Sequence, residues 1–275
     1  MAERAETAGV LKTRLDTVSL VSLAVLAGAF IGLGAMNAIV VSAGAAGVLP
    51  YGLTQLLKGA AFSVGLMLVV VGGAELFTGN NLMVMAWASR RVTGRELLRA
   101  WGLVYAGNFL GAAATATLVF LAGSHEYGRG AVGAAALALA QSKGSLPFAS
   151  ALFSGVLCNV LVCLAVWLCY SAHSTTDRLL AIMPPVTAFV AAGFEHSVAN
   201  MFVLPLGLLI KYAAGPEFWS AANLDPGTFA ALAPRTLVAN LLPVTLGNVI
   251  GGGGLVGAVY WFVYLRRRKP ADAAP

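Results

Sequence analysis

Glu195, His196 and Ser197 stand side by side between two apolar runs, 186–194 and 198–204. Ionisable side chains at bilayer depth are expensive and line routes for ions or protons. A second polar interruption, Gly73-Ala74-Glu75-Leu76-Phe77-Thr78-Gly79-Asn80-Asn81, breaks another apolar run. It aligns with Gly193-Phe194-Glu195-His196-Ser197-Val198-Ala199-Asn200 when a one-residue gap is allowed. Glu75 and Glu195 can accept hydrogen bonds from N–H groups exposed at a half-helix start and so hold each loop together. His196 can donate to an anion and can change charge near neutral pH.

Other chemistries find no support in the residues. Cys158, Cys163 and Cys169 share one apolar run without His or Cys partners at ligand spacing, so no metal is expected. His125, His173 and His196 are too few and too scattered for a haem subunit. Gly251-Gly252-Gly253-Gly254-Leu255-Val256-Gly257 follows no strand and has no acidic partner downstream, so it is not a dinucleotide loop. An intramembrane protease would need a Ser/His pair in attack geometry or paired aspartates, and the adjacent His196-Ser197 does not supply one. No cofactor and no enzymatic activity are expected.

The elements that must carry these residues are membrane helices. The 275 residues are 59% hydrophobic and 10% charged, with mean hydropathy +0.84, against roughly 25% charged residues in soluble domains. Windows of about 20 apolar residues, enough to cross about 30 Å of hydrocarbon, give six spans: 18–44, 56–88, 98–123, 146–170, 179–212 and 237–265. The second and fifth are long and internally interrupted, which predicts broken helices. Segment 1–17 mixes acidic and basic residues, reads as a surface amphipathic helix rather than a cleavable signal, and leads into a six-span domain, 18–265. A basic tail, 266–275, follows.

With both termini on one side, that side collects Arg4, Lys12, Arg14, Arg90, Arg91, Arg95, Arg99, Arg178, Arg266, Arg267, Arg268 and Lys269, and the other holds Lys58, Arg129, Lys143, Lys211 and Arg235. The positive-inside rule then makes both termini cytoplasmic. The net charge of +6 is a matter of topology, and a nucleic-acid partner is not expected. Trp87, Trp101, Trp167, Trp219 and Trp261 fall near span ends or in a loop, as interfacial anchors do.

Two internal correspondences indicate a repeat of three spans plus three. The polar interruptions form one pair; Gly107-Asn108-Phe109-Leu110-Gly111 and Gly247-Asn248-Val249-Ile250-Gly251 form the other, in the same order. Three spans per half force the second half to cross in the opposite sense, and inverted repeats with paired broken helices handle small solutes near the membrane midplane. A non-helical turn at that depth survives only where protein or a wet cavity covers it. The glycines of each Gly-Asn-x-x-Gly unit let helices approach closely, and Asn108, Asn248 and Asn159 are placed to bond the backbone groups that a break frees.

Together, Ala74-Glu75-Leu76-Phe77-Thr78, Gly107-Asn108-x-x-Gly111, Leu157-Cys158-Asn159, Gly193-Phe194-Glu195-His196-Ser197-Val198-Ala199-Asn200-Met201 and Val244-Thr245-Leu246-Gly247-Asn248 resemble the formate/nitrite transporter family across all six spans. The stretches 201–207, 215–219 and 248–261 look formate-type. The resemblance implies an all-α membrane protein with an aquaporin-like inverted 3+3 repeat, assembled as a homopentamer in lipid at a bacterial-type inner membrane, with one pathway per protomer. Phe62, Leu66 and Phe189 would form apolar constrictions, Leu76 and Thr78 the mobile break, and His196 the wall of the central chamber. Lys143 matches the family lysine that attracts anions near the outer mouth; without the resemblance it reads as a solvated loop residue. Where some nitrite-type members have a second basic residue, this chain has Ser154. The implied activity is formate transport, channel-like or proton-coupled, through Lys143, Thr78, His196 and Asn200; nitrite, hydrosulfide, acetate and lactate are the alternative substrates.

Overall fold

The computed structural model describes residues 1–267, and part of the tail expected at 266–275, including Arg268 and Lys269, lies outside the described residues. Those residues are helical and contain no strand. Helix α1 (Ala2–Thr13) precedes α2 (Thr17–Ser42) and α3 (Tyr51–Gly72). A non-helical segment, a 3-10 turn (Gly79–Met83) and the short α4 (Val84–Ala88) lead to α5 (Gly94–Leu121). The second half runs α6 (Ala131–Gly144), α7 (Phe148–Cys169), α8 (Thr175–Ala191), α9 (Ser197–Ala213), α10 (Pro216–Ala222), α11 (Arg235–Val249) and α12 (Val259–Tyr264).

Local chemistry sets several boundaries. Asp16 Oδ1 accepts from the backbone N–H groups of Val18 and Ser19, both at 3.0 Å, and starts α2. Reciprocal capping boxes start α5 (Thr93 with Glu96) and α8 (Ser174 with Asp177). Gly73 at φ 71° and Gly193 at φ 73° end the helices before the two breaks, in the left-handed region that favours glycine.

Five helices of the described residues are long and apolar enough to cross a membrane: α2, α3, α5, α7 and the continuous Arg235–Tyr264 rod. The run 179–212, read above as one interrupted span, is two helices of 17 residues each, about 25 Å apiece at 1.5 Å per residue. Span 56–88 likewise ends as a continuous helix at Gly72. After the second break, α9 turns through 109° into α10. The Gly-rich run is neither loop nor α-helix: Ile250–Ala258 is π-helical, pressed so close to α7 that a Cβ on Gly251 would meet the carbonyl of Val156.

One element was not legible as a helix, and another packs more deeply than a surface helix would. Residues 131–144 form α6, so Lys143 lies in a helical last turn rather than in a solvated loop. Segment 1–17 is not a free surface helix: α1 buries Ala5, Glu6, Gly9, Val10 and Thr13. Gly9 sits against Met83 and Ala86, and Glu6 pairs with Arg91 at 3.0 Å. Three of the five tryptophans also do more than anchor. Trp101 Nε1 donates to the Asn80 carbonyl at 2.9 Å, Trp261 Nε1 donates to Ser89 Oγ at 3.0 Å, and Trp167 is buried against Tyr260.

The two halves are inverted copies. Helix α3 begins at one cavity, where it contributes Tyr51, Gln55 and Lys58, and ends at a second, with Leu66, Val69 and Gly73. Helix α8 runs the other way, contributing Arg178 to the second cavity and Phe189 and Gly193 to the first. Tyr105 and Thr245, which hold matching places relative to Asn108 and Asn248, meet across the pseudo-twofold axis at 2.9 Å.

Close backbone packing makes the scaffold intolerant of side chains at particular glycines. A Cβ on Gly111 would run into the Val25 carbonyl, and one on Gly247 into that of Leu152. Gly111→Ala is therefore expected to cost about 2 kcal/mol by overpacking, read as a lowered thermal unfolding midpoint in detergent. Gly102→Ala, whose Cβ meets nothing within 4 Å, should be neutral or stabilising. Equal midpoints for the two variants would refute this account of the interface.

Candidate functional site: two cavities meeting at two broken helices

The breaks superpose without the gap expected from the sequence. In both, the residue after the left-handed glycine donates its N–H back to the preceding helix: Ala74 to Val69 O at 2.9 Å and Phe194 to Phe189 O at 3.0 Å. Asn108 Oδ1 accepts from Phe77 N–H at 2.9 Å, and Asn248 Oδ1 accepts from Ser197 N–H at 3.0 Å. The Asn108 amide donates to the carbonyls of Ala24 (2.7 Å) and Glu75 (2.9 Å), and the Asn248 amide to those of Gly155 (2.8 Å) and Glu195 (3.0 Å). Each asparagine thus satisfies groups that lipid cannot. Glu75 therefore pairs with Glu195, Leu76 with His196, Phe77 with Ser197 and Asn80 with Asn200. The one-residue gap is not needed: the backbone pairs Ser197 with Phe77.

The glutamate side chains do not cap the half-helix starts. Glu75 Oε2 accepts from Lys12 Nζ at 2.9 Å and from Asn80 Nδ2 at 2.7 Å. Glu195 Oε1 accepts from Lys143 Nζ at 2.7 Å and Oε2 from Asn200 Nδ2 at 2.6 Å. Capping falls to the neutral amides and to His196, and each carboxylate instead neutralises a lysine brought in by α1 or α6. Asn240 completes the second cluster, accepting from Asn200 at 2.7 Å and donating to the Lys143 carbonyl at 2.9 Å. Ser154 Oγ accepts from Glu195 N–H at 3.1 Å.

His196 caps α9: its Nδ1 accepts from Ala199 N–H at 3.1 Å. With Nδ1 an acceptor, the ring proton of neutral imidazole resides on Nε2, which donates to Thr78 Oγ1 at 2.9 Å. Thr78 is fully buried, and its carbonyl accepts from Asn159 Nδ2 at 3.2 Å and from Cys163 Sγ at 3.3 Å. Asn159 also donates to Asn248 O at 2.6 Å, so one amide ties the first break to the clamp of the second. Aromatic rings close round the imidazole. Phe189 stacks on it at 5.8 Å and Phe62 meets it edge-on at 6.4 Å, with the two phenyl centroids 5.7 Å apart.

A cavity of about 270 Å³ reaches this collar from one end, walled by Lys58, Phe62, Lys143, Phe189, Glu195 and His196. Another of about 320 Å³ comes from the opposite end, walled by Lys12, Leu66, Glu75, Leu76, Asn80 and Arg178. The structure brings Thr78, His196, Phe62 and Phe189 together, and places Leu66 and Leu76 on the wall of the other cavity. Lys143 faces the first cavity, whereas Asn200 is turned to Glu195 and Asn240 and lines neither. Ser197 Oγ, Asn159 Oδ1 and Asn200 Oδ1 have no hydrogen-bond partner. Lys12, Asn80 and Asn240 were missed in the sequence. A gapless match would have exposed Asn80, which follows Glu75 by five residues as Asn200 follows Glu195. Among the described residues no group of His, Cys, Asp and Glu is placed to hold a metal ion.

Two inverted half-channels that meet at a polar contact inside an apolar collar define a membrane channel or transporter for small solutes. Comparison with known proteins gives the particular family. The formate/nitrite transporter family model matches residues 1–262. Formate channel FocA of Escherichia coli (strain K12) is 43% identical over 267 residues, covering 97% of this chain and 93% of that one. A probable formate transporter of Methanothermobacter thermautotrophicus is 38% identical over 271 residues, covering 93% and 92%. The solved structure of a pentameric formate channel with formate bound matches with a TM-score of 0.86 at 41% identity, covering 91% of this chain and 98% of that one. The chain belongs to the formate/nitrite transporter family.

The clamps make a quantitative expectation. Asn248→Leu leaves the Ser197 N–H and the Glu195 carbonyl without that partner at membrane depth, and should lower stability by about 3 kcal/mol. Asn248→Asp, which keeps the acceptor, should lose less. Chemical unfolding of the detergent-solubilised protein reads the difference, and equal losses would mean that the acceptor role is unimportant.

Proposed function

We propose that each protomer conducts formate between the two cavities, passing it across the Thr78–His196 contact. The observation that carries this reading is that contact itself: two donors beside Phe62 and Phe189, between a cavity that His196 lines and an opposite one that Leu66 and Leu76 line. Formate, with a carboxylic pKa of roughly 4, is almost wholly charged at neutral pH. Placing a bare carboxylate in a dry constriction has an idealised cost on the order of 20 kcal/mol, which relaxation and water reduce to several. Donors must meet the anion before its water leaves.

The residues supply them in order. Lys143 spends one N–H on Glu195 and keeps the rest of its three donors for an anion in the first cavity. At the collar, Nε2–H of His196 exchanges Thr78 Oγ1 for a formate oxygen. That frees the Thr78 hydroxyl to turn its own proton to the second oxygen. A planar carboxylate takes two such bonds at once. Asn200 acts at one remove, holding Glu195 in place. Passage is channel-like while Nδ1 of His196 receives the Ala199 N–H. Handing a proton to formate requires Nδ1 to be protonated first, which expels that N–H and opens the cap; acid conditions therefore favour the proton-coupled mode. Nitrite, another small monoanion with two oxygens, fits the same donors and is the second reading, supported by the breadth of the family. Competition of nitrite against formate uptake separates the two.

The assembly is a homopentamer in a bacterial inner membrane, as the matched pentameric channel and the exposed apolar faces of α2, α3, α5 and α7 suggest. Both termini are cytoplasmic by the charge bias, with 1–17 as the cytoplasmic segment, 18–265 as the transport domain and 266–275 as a basic tail. Transport is the whole activity, without catalysis or cofactor.

Formate flux into reconstituted vesicles, followed across pH for wild type, His196→Asn and His196→Phe, tests the reading. His196→Phe removes the donor and should cut flux about tenfold or more; His196→Asn retains a donor and should conduct with a changed pH dependence. Three identical profiles would strip His196 of any part in conduction.

A further inference from the structure

The ion pairs at the breaks leave a question of charge. Lys12 and Lys143 are each matched by a glutamate within 2.9 Å, so neither cluster presents a net positive charge to its cavity. Each cavity nevertheless contains a second cation. Lys58, in the second turn of α3, lines the first; Arg178, in the first turn of α8, lines the second. Among the described residues neither side chain enters an ion pair or a hydrogen bond. Asp177, the acid next to Arg178, spends its Oδ2 on the backbone N–H groups of His173 and Ser174. Lys58 and Arg178 are also equivalent in the inverted repeat, standing as far apart in sequence as Gly73 and Gly193. A cation left unpaired at both equivalent positions, one per mouth, is not what a snorkelling surface residue would produce.

Resting on the reading of an anion pathway, we propose that Lys58 and Arg178 are the anion-recruiting residues of the two mouths, each raising the local concentration of the permeant anion at its own end. Lys12 and Lys143 are held as neutral pairs that stiffen the breaks and offer donors at close range. A unit charge about 6 Å from the anion in water-like surroundings raises its local concentration about threefold, and the effect is screened at high salt. Because the two cations serve opposite ends, removing one makes the channel rectify.

The test is planar-bilayer recording of channels inserted from a single side, in formate and separately in nitrite, at ionic strengths of about 0.1 M and about 1 M. Lys58→Gln should lower current about threefold for anions arriving at its mouth and little for those arriving at the other. Arg178→Gln should rectify in the opposite sense. Lys58→Arg should behave as wild type, and all differences should shrink at the higher ionic strength. Unchanged current in both glutamine variants, equal loss in both directions, or loss that persists at high salt overturns the proposal. A wild type that passes nitrite but not formate sinks the formate reading alone, since rectification in nitrite still decides the role of the cations. No current of either anion sinks both.

Discussion

Everything in this molecule depends on satisfying backbone groups that two broken helices expose inside a membrane. Neither lipid nor a distant side chain can do it, and an unpaired buried amide costs about 1–3 kcal/mol. Asn108 and Asn248 each accept one freed N–H and donate to two carbonyls, one on the break and one on a neighbouring helix. That geometry demands near-contact of backbones, which is why glycines flank both asparagines and why Gly111 and Gly247 lie against carbonyls of α2 and α7. Neutral amides suit this work because they satisfy donors and acceptors together and bring no charge to an apolar collar.

Once the amides cap the breaks, the carboxylates are free for a different task. Glu75 and Glu195 hold Lys12 and Lys143, and through them dock α1 and α6 against the transport helices. A buried pair is a weak source of net stability but becomes strongly unfavourable when one partner is lost, so the docking is specific. Its electrostatic consequence is cancellation: at each cavity one lysine is paired with a carboxylate while a second lining cation, Lys58 or Arg178, is not. The centre, where Nε2 of His196 meets Thr78 Oγ1, then needs only hydrogen-bond donors.

Much of this was legible in the chain. The polar triplet 195–197 and the matching Glu75 region announced two breaks, and the paired Gly-Asn-x-x-Gly units announced an inverted repeat. Phe62, Phe189, Thr78 and His196 do assemble, and Leu66 and Leu76 line the second cavity. Illegible were the contacts between segments remote in sequence. Lys12 precedes Thr17 by the same interval that separates Lys143 from Phe148, yet low similarity between α1 and α6 hid the kinship. The alanine-rich 131–144 stretch lacks the charge pattern of a surface helix and passes for a loop. Allowing a one-residue gap between the two interruptions misplaced the register, because the backbone there answers to Asn108 and Asn248 rather than to side-chain type.

By itself, the sequence determined that the chain lives in a membrane, folds as two inverted halves and breaks one helix in each, because hydropathy and the spacing of glycine and polar residues are properties of the chain alone. Only the tertiary structure decided which polar atoms meet. Asparagine or glutamate can both cap a freed N–H, and lysine can face an anion or a carboxylate; the choice turns on separations of about 3 Å between residues far apart in the chain, which no local pattern encodes.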